Sequence, residues 1–444
     1  MKKSTVRRVA ALAIGLALVA SACGSDDAST DTTVAGSDTT AAASTSNGEL
    51  EGMKGTTPLV ALSDEFKARL KEMDPALDDY SYAAETYDSI TVIALAVTQA
   101  KSDGIEYAKE INGITRDGEK CTEFKACADL IAAGTDIDYD GVSGPLEFSG
   151  NGEPLKASYG VLVFGADNRL ADDKATYIEA AAPADADVPQ VDVEGTRAGD
   201  GVLTIGSILP QTGSLAFLGP PEFAGFDLAI KDINDAGGVL GKPVVGIKGD
   251  SGDATTDTAS KTVDAQLSQN VDAIIGAASS GVSLTVIDKI TAAGVVQFSP
   301  ANTSKKLSTY ADKGLYFRSA PSDIVQGAVL AKVITDDGAA NVAIIARNDA
   351  YGTGLAEDLQ KNLEANGAKV VITKIYDEKA TTFDAEVDAI KAAAPDAVAI
   401  IGFEESSKIL ATMVEKGVGP KTIKVYGCDG NMGNGLGKSF DAGE

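Results

Sequence analysis

Val202-Leu203-Thr204-Ile205-Gly206-Ser207-Ile208 is a short apolar run rich in strand-forming residues, and the rest of the chain repeats the scheme it starts. A helix-periodic stretch, Phe223 to Asp235, follows it and stops at Ala236-Gly237-Gly238. Val244 to Ile247 then predicts a strand, Thr255 to Gln269 a helix, Ala273 to Gly276 a strand, Ser283 to Ala293 a helix and Val295 to Phe298 a strand. A second round gives helices at Ile324 to Ile334, Gly354 to Ala365, Phe383 to Ala393 and Ser407 to Lys416. Its strands are Val342 to Ile345, Val370 to Ile372, Ala397 to Ile401 and Ile423 to Tyr426. Strands that are apolar throughout, instead of alternating, are buried on both faces, as parallel sheets between layers of helices require. The expected fold class is therefore α/β, with two doubly wound parallel-sheet lobes, a hinge and an interlobe cleft. Lobe 1 is placed at residues 201–320 and lobe 2 at 321–444. Ligands of such sheets bind beyond the carboxyl ends of the strands, which is where two facing lobes form a cleft.

Outward from this core, Ala180 to Asp200 is rich in Ala, Pro and Asp and predicts a linker over residues 180–200. Residues 50–179 form a further folded portion, and residues 23–49, rich in Ser, Thr, Ala and Asp, predict a disordered tether. Residues 1–22 have the make-up of a signal peptide: Lys2, Lys3, Arg7 and Arg8, then the apolar Val9 to Ala20, too short for a stable membrane span. Ala20-Ser21-Ala22-Cys23 resembles a bacterial lipobox, which makes Cys23 the expected lipidation site. The alternative is an ordinary secretory signal that happens to contain a cysteine. Export favours a disulfide between Cys121 and Cys127, whose spacing is not that of a C-x-x-C redox or metal pair. Cys428 is expected to be a small buried residue.

Composition narrows the function. The chain has 444 residues and a net charge of −27, against the basic surface that nucleic acid requires, so no nucleic-acid partner is expected. Histidine is absent, which removes His-based acid–base chemistry, the Ser-His-Asp arrangement and His-ligated zinc. No local signature for a metal, a cofactor or a catalytic nucleophile stands out, and the expectation is a binder, not an enzyme.

Several strings resemble the branched-chain amino-acid-binding protein family: Gly206-Ser207-Ile208-Leu209-Pro210-Gln211-Thr212-Gly213, Ala229 to Gly238, Ile275 to Ser280, Phe298 to Thr303 and Asn348 to Gly352. They fall in family order over residues 201–444. The family's closing parts resemble stretches before the linker: Glu51 to Thr56, Tyr82 to Asp88, Gly141 to Phe148 and Ala157 to Phe164. The resemblance thus implies a type I periplasmic-binding-protein fold in circularly permuted order, with residues 50–179 contributing to both lobes. A linker of about 20 residues reaches roughly 25 Å, enough to join ordinary termini. Exchange of halves between chains and an artefact of the gene model remain as alternatives.

The resemblance also implies a site. Ser280, at a predicted helix start whose free N–H groups suit a carboxylate, matches the family's carboxylate-binding serine, although N-capping alone explains a serine there. The Ala301 carbonyl is implied for the ligand ammonium, and Thr303 for both its carboxylate and its ammonium. Asp429 follows a lobe 2 strand and would neutralise a buried ammonium. Tyr351 would cover the ligand and Phe403 would wall its side-chain pocket. Leu218 stands where some relatives carry an aromatic. The implied function is an extracytoplasmic, lipid-anchored solute-binding protein that takes an amino acid, such as a branched-chain one, to an ABC permease. The rivals are a sensory receptor module of the same fold, a binder of amides, urea or aromatic acids, an α/β enzyme, and a surface lipoprotein whose cleft no longer binds.

Overall fold

Strand Thr204–Ile208, grown from the opening run, lies inside a five-stranded all-parallel sheet in the order Tyr316–Arg318, Val296–Ser299, Ala273–Gly276, Thr204–Ile208, Val245–Ile247. A computed structural model describes residues 47–440. The expected signal segment 1–22, Cys23 and nearly all of the tether 23–49 lie outside the described residues. A second sheet has seven strands, in the order Lys369–Tyr376, Asn341–Arg347, Ala397–Ile401, Lys424–Cys428, Lys54–Pro58, Lys156–Val163, Thr176–Ala181. The first five of these run parallel, and Lys156–Val163 is antiparallel to both its neighbours. Strands Ala273–Gly276 and Ala397–Ile401 are buried at every residue, as their unbroken apolar sequences demand.

The helices start where their caps say they should. Ser279, Ser322 and Asp349 each accept a hydrogen bond from a first-turn N–H of helices Ser280–Ala292, Asp323–Asp336 and Ala350–Ala365. Strand Tyr316–Arg318 was not predicted, because three residues that include a buried arginine give no periodic signal.

Residues 50–179 do not form a separate domain. Strand Lys54–Pro58 pairs parallel with Lys424–Cys428, with Thr56 opposite Cys428. Helix Ala83–Ala100 instead packs on helix Gly219–Asp235 of the first lobe, so closely that a Cβ on Gly225 would come within 2.2 Å of the Ala83 carbonyl oxygen. Every residue from Ala83 to Val97 is buried, the pattern of a helix covered all round. Contacts unite the described residues, 47–440, into one unit.

Among the described residues, four stretches cross between the two lobes: residues 59–63, 142–155, 182–203 and 319–322. The third holds all of the predicted linker but its first two residues, which complete strand Thr176–Ala181. The rest is pinned instead of free. Gly150 N–H donates to the Val188 carbonyl and Val191 N–H to the Gly150 carbonyl, each at 3.0 Å, and Arg197 pairs with Asp272 at 2.6 Å. Both ends of the described chain lie in the second lobe, where Leu50 and Phe440 join one apolar cluster. Cys121 and Cys127 are joined in a disulfide, and Cys428 is free and buried.

Candidate functional site

Two neighbouring loops of the first lobe follow strands Ala273–Gly276 and Val296–Ser299, and Asn302 ties them together. Its side-chain amide donates to the Ala277 and Ala278 carbonyls at 2.9 and 2.8 Å, while its own oxygen accepts from the Tyr316 hydroxyl at 3.0 Å. Ser299 Oγ adds a third tie, donating to the Ala277 carbonyl at 2.7 Å. Behind the second loop the fully buried Arg318 donates to the carbonyls of Asn302 and Ser304 at 3.2 and 3.0 Å, on either side of Thr303. Glu153, from the other end of the sequence, balances that charge through Arg318 Nε and Nη2. The loops are therefore stiff, and their exposed atoms face the cleft at the carboxyl edge of the sheet.

The first helical residue after one loop is Ser280, buried, with its Oγ accepting from Ser304 N–H at 3.3 Å. Ser279 supplies the cap, so the serine that caps and the serine assigned to the ligand are different residues. First-turn N–H groups and the positive end of the helix make this a natural seat for a carboxylate.

Asp429 stands across the cleft at the end of strand Lys424–Cys428. It is buried and accepts from the Tyr351 hydroxyl at 2.7 Å, the Gln326 side-chain amide at 2.8 Å and the Tyr82 hydroxyl at 2.9 Å. Burial pushes its carboxyl above the usual range, while the three donors pull the other way. The Gly430 backbone N–H also favours the charged form, and none of these donors carries a positive charge. Tyr351 lies stacked on Phe403 with ring centroids 5.4 Å apart, and the Arg347 guanidinium stands 3.7 Å over the Phe403 ring. Arg347 is fixed in turn by Asp349 and Glu405 at 2.6 and 2.7 Å. Asp349 is thus bound to an arginine and to its own helix cap, and it makes no carboxylate pair with Asp429.

The six residues predicted from the sequence, Ser280, Ala301, Thr303, Tyr351, Phe403 and Asp429, line one pocket, with Leu218 among its walls. Three contributors went unread. Tyr82 lines the pocket from residues 50–179, its backbone in the left-handed region at φ 61°, a rare conformation for an aromatic residue. Gln326 and Asp323 lie three apart in the mostly apolar first half of helix Asp323–Asp336 and so share a face, and that spacing was the available signal. A larger cavity of about 710 Å³ opens nearby, between Ser214 and Asp253 on one side and Glu378 and Glu405 on the other. It lacks the facing carboxylate seat and buried acid of the smaller pocket. Among the described residues no cluster of three or more His, Cys, Asp or Glu could hold a metal ion.

The lobes are closed on this pocket. Glu404 N–H donates to the Ser214 carbonyl at 3.3 Å, Ser304 Oγ to the Ala350 carbonyl at 2.7 Å, and Lys305 pairs with Glu357 at 3.1 Å. A cleft between two doubly wound lobes, with a carboxylate seat on one and a buried acid on the other, defines a ligand-binding protein of the type I periplasmic fold. The model described as "Periplasmic binding protein" matches residues 202–439, more than half of the chain, which belongs to that family. The model described as "Receptor family ligand binding region" matches residues 22–165.

The Halobacterium salinarum chemotactic signal transduction system substrate-binding protein BasB is 32% identical over 46% of this chain and 51% of its own length. The Leu/Ile/Val-binding protein BraC3 of Rhizobium johnstonii is 31% identical over 47% of this chain and 57% of its own. The chain thus spans about half the length of these curated relatives. A solved structure of the branched-chain amino acid transporter substrate-binding protein LivJ from Streptococcus pneumoniae, in complex with isoleucine, is 26% identical over 52% of this chain and 64% of its own. Its TM-score is 0.46.

Proposed function

We propose that the protein is an extracytoplasmic solute-binding lipoprotein that captures an amino acid and delivers it to an ABC importer. One observation carries the reading: a carboxylate seat at Ser280 faces a buried acid at Asp429 whose side-chain partners are all neutral, and the two ends of a zwitterion are complementary to them. The α-carboxylate docks on the Ser280 helix start and the α-ammonium on the Ala301 carbonyl, Thr303 and Asp429. The side chain lies against Leu218, Tyr351 and Phe403. Closure of the lobes excludes water and so strengthens each polar contact. Aromatic acids have no ammonium to offset the buried charge of Asp429, so the site favours amino acids over them.

Cys23 carries the lipid in this reading, and a membrane permease reads the closed form. The sensory alternative gains from the chemotactic relative, and a neighbouring permease gene would favour import. The chain order is a rotation of the family's order, with residues 180–200 joining its usual end to its usual start. What supports the rotation is the insertion of strand Lys54–Pro58 beside Lys424–Cys428 and the meeting of both described ends in the second lobe.

The test is to release small molecules from the purified protein by denaturation and identify them by mass spectrometry. An α-amino acid that also raises the melting temperature of the emptied protein is expected. Absence of any such amino acid, with no thermal shift across the standard set, removes the assignment.

A further inference from the structure

Thr303 lines the pocket, and the two residues after it reach across to the other lobe. Ser304 is fully buried and held on its own side by two bonds. Its N–H donates to Ser280 Oγ at 3.3 Å, and its carbonyl accepts from Arg318 at 3.0 Å. Its hydroxyl turns to the second lobe and donates to the Ala350 carbonyl at 2.7 Å, at the start of helix Ala350–Ala365. Ala350 precedes Tyr351, which lines the pocket from that side. The bond between the lobes is thus one residue away from a pocket wall on each of them.

Lys305 extends this contact. Its ammonium stands 3.1 Å from Glu357 and 3.2 Å from Asp358, about two turns further along the same helix. The Glu357 side chain is 71% exposed, and an ion pair open to water adds little. Asp358 differs. Its side chain is only 13% exposed, one of its oxygens is buried without a hydrogen-bond partner, and Lys305 is its ion-pair partner.

Lys305 lies between two strands of the first sheet, and Asp358 between two strands of the second. Parting the lobes therefore separates the pair and returns both charges to water. Closing them without the cation would bury an acid alone, which is strongly unfavourable. These contacts form after a molecule has entered the cleft, so they act on its release more than on its capture. We propose that Ser304 and Lys305 are a closing latch: they hold the lobes together over the captured molecule and set how long it is retained, whereas the pocket residues set what is recognised. The proposal rests on the reading of this pocket as an amino-acid site, but not on which amino acid fills it.

The test is the rate at which the full chain releases a radiolabelled amino acid when chased with an unlabelled excess. The probe is the standard L-amino acid that gives the wild type its largest thermal shift. Lys305→Met keeps the apolar stem of the side chain and removes its charge. It should release the probe roughly tenfold faster, with the association rate changed less than about twofold and the ligand-free melting temperature unchanged. Lys305→Arg should restore slow release. Adding Asp358→Asn to Lys305→Met should recover most of the loss, because no charge is then buried alone. Ser304→Ala, which removes one hydrogen bond between the lobes, should speed release by about three- to tenfold. Wild-type release from Lys305→Met, or a loss that Asp358→Asn does not relieve, overturns the proposal. A Lys305→Met chain whose association rate falls as far as its release rate rises overturns it too. Silence of the wild type towards every standard amino acid removes the amino-acid reading and this proposal with it. Normal wild-type capture with an indifferent Lys305→Met removes only the latch.

Discussion

Asp429 pulls in two directions. Folding buries an acid whose charged form is disfavoured, yet three donors from three separate elements converge on it. Such an arrangement serves a cation better than it serves stability. Asp429→Asn keeps the shape and removes the charge, so amino-acid affinity should fall by at least about a hundredfold, the range for removing one partner of a buried charged contact. The ligand-free melting temperature should hold or rise, because the burial penalty of the charge goes with it. Calorimetry and a thermal melt on the same variant separate the two. Equal losses of affinity and stability would make Asp429 a structural acid. The sequence disclosed Asp429 because it follows a predicted strand in a parallel sheet. Tyr82 stayed hidden because its role depends on a hydroxyl that meets a residue 347 positions away, and no local pattern encodes that pairing.

At the scale of the element, helices Ala83–Ala100 and Gly219–Asp235 bury two glutamates, Glu85 and Glu222, with no countercharge among the described residues. Both Glu222 oxygens and one oxygen of Glu85 lack hydrogen-bond partners. Burial pushes Glu85 up to about 8 and Glu222 well above the carboxylate range, with Glu85 adding to the second shift. The folded state therefore holds protons that the unfolded chain gives up near pH 4.5, the ordinary value for glutamate. Where the unfolded chain binds fewer protons, stability falls as pH rises, so the loss runs from about pH 4.5 to about pH 8 for Glu85. Glu85→Gln should flatten that slope, retaining on the order of a few kcal/mol at pH 8.5 that the wild type loses. Urea unfolding at pH 5 and pH 8.5 measures it, and parallel pH profiles for variant and wild type would refute it. The periodic helices and unbroken strands of residues 201–444 were readable because each is a local pattern. Tyr82 to Asp88, picked out by resemblance and not by a local pattern, overlap the start of helix Ala83–Ala100, whose burial on all sides was not readable: Thr86, Asp88, Ser89 and Thr91 are polar, and only packing against other elements covers them.

At the scale of the whole molecule, the seven-stranded sheet takes four adjacent strands from the last quarter of the chain and three from residues 54–181. Neither part closes a lobe alone. Without residues 50–179 the sheet would end at Lys424–Cys428 and expose an edge that is now paired, and the pocket would lose Tyr82. The linker was read as free because its composition resembles a tether. Its ties to Gly150, Lys313 and Asp272 depend on partners far away in sequence. The proposed rotation of chain order implies that the joint at residues 182–200 is dispensable if the ends are joined elsewhere. A chain that starts at Gly195, runs to Phe440, continues through a short Gly/Ser bridge into Asn47 and ends at Pro189 keeps every strand pairing and the Arg197–Asp272 contact. It should give the same far-UV circular dichroism, bind the same ligand within about threefold, and melt only slightly lower, since loop connections are where chains tolerate reopening. Sedimentation at several concentrations adds a control: a monomer throughout fits halves that meet within one chain, whereas a concentration-dependent dimer that alone binds ligand fits exchange between chains. A rejoined chain that collapses without the native spectrum would show that the observed order is a requirement of this fold and not one of two equivalent routes to it.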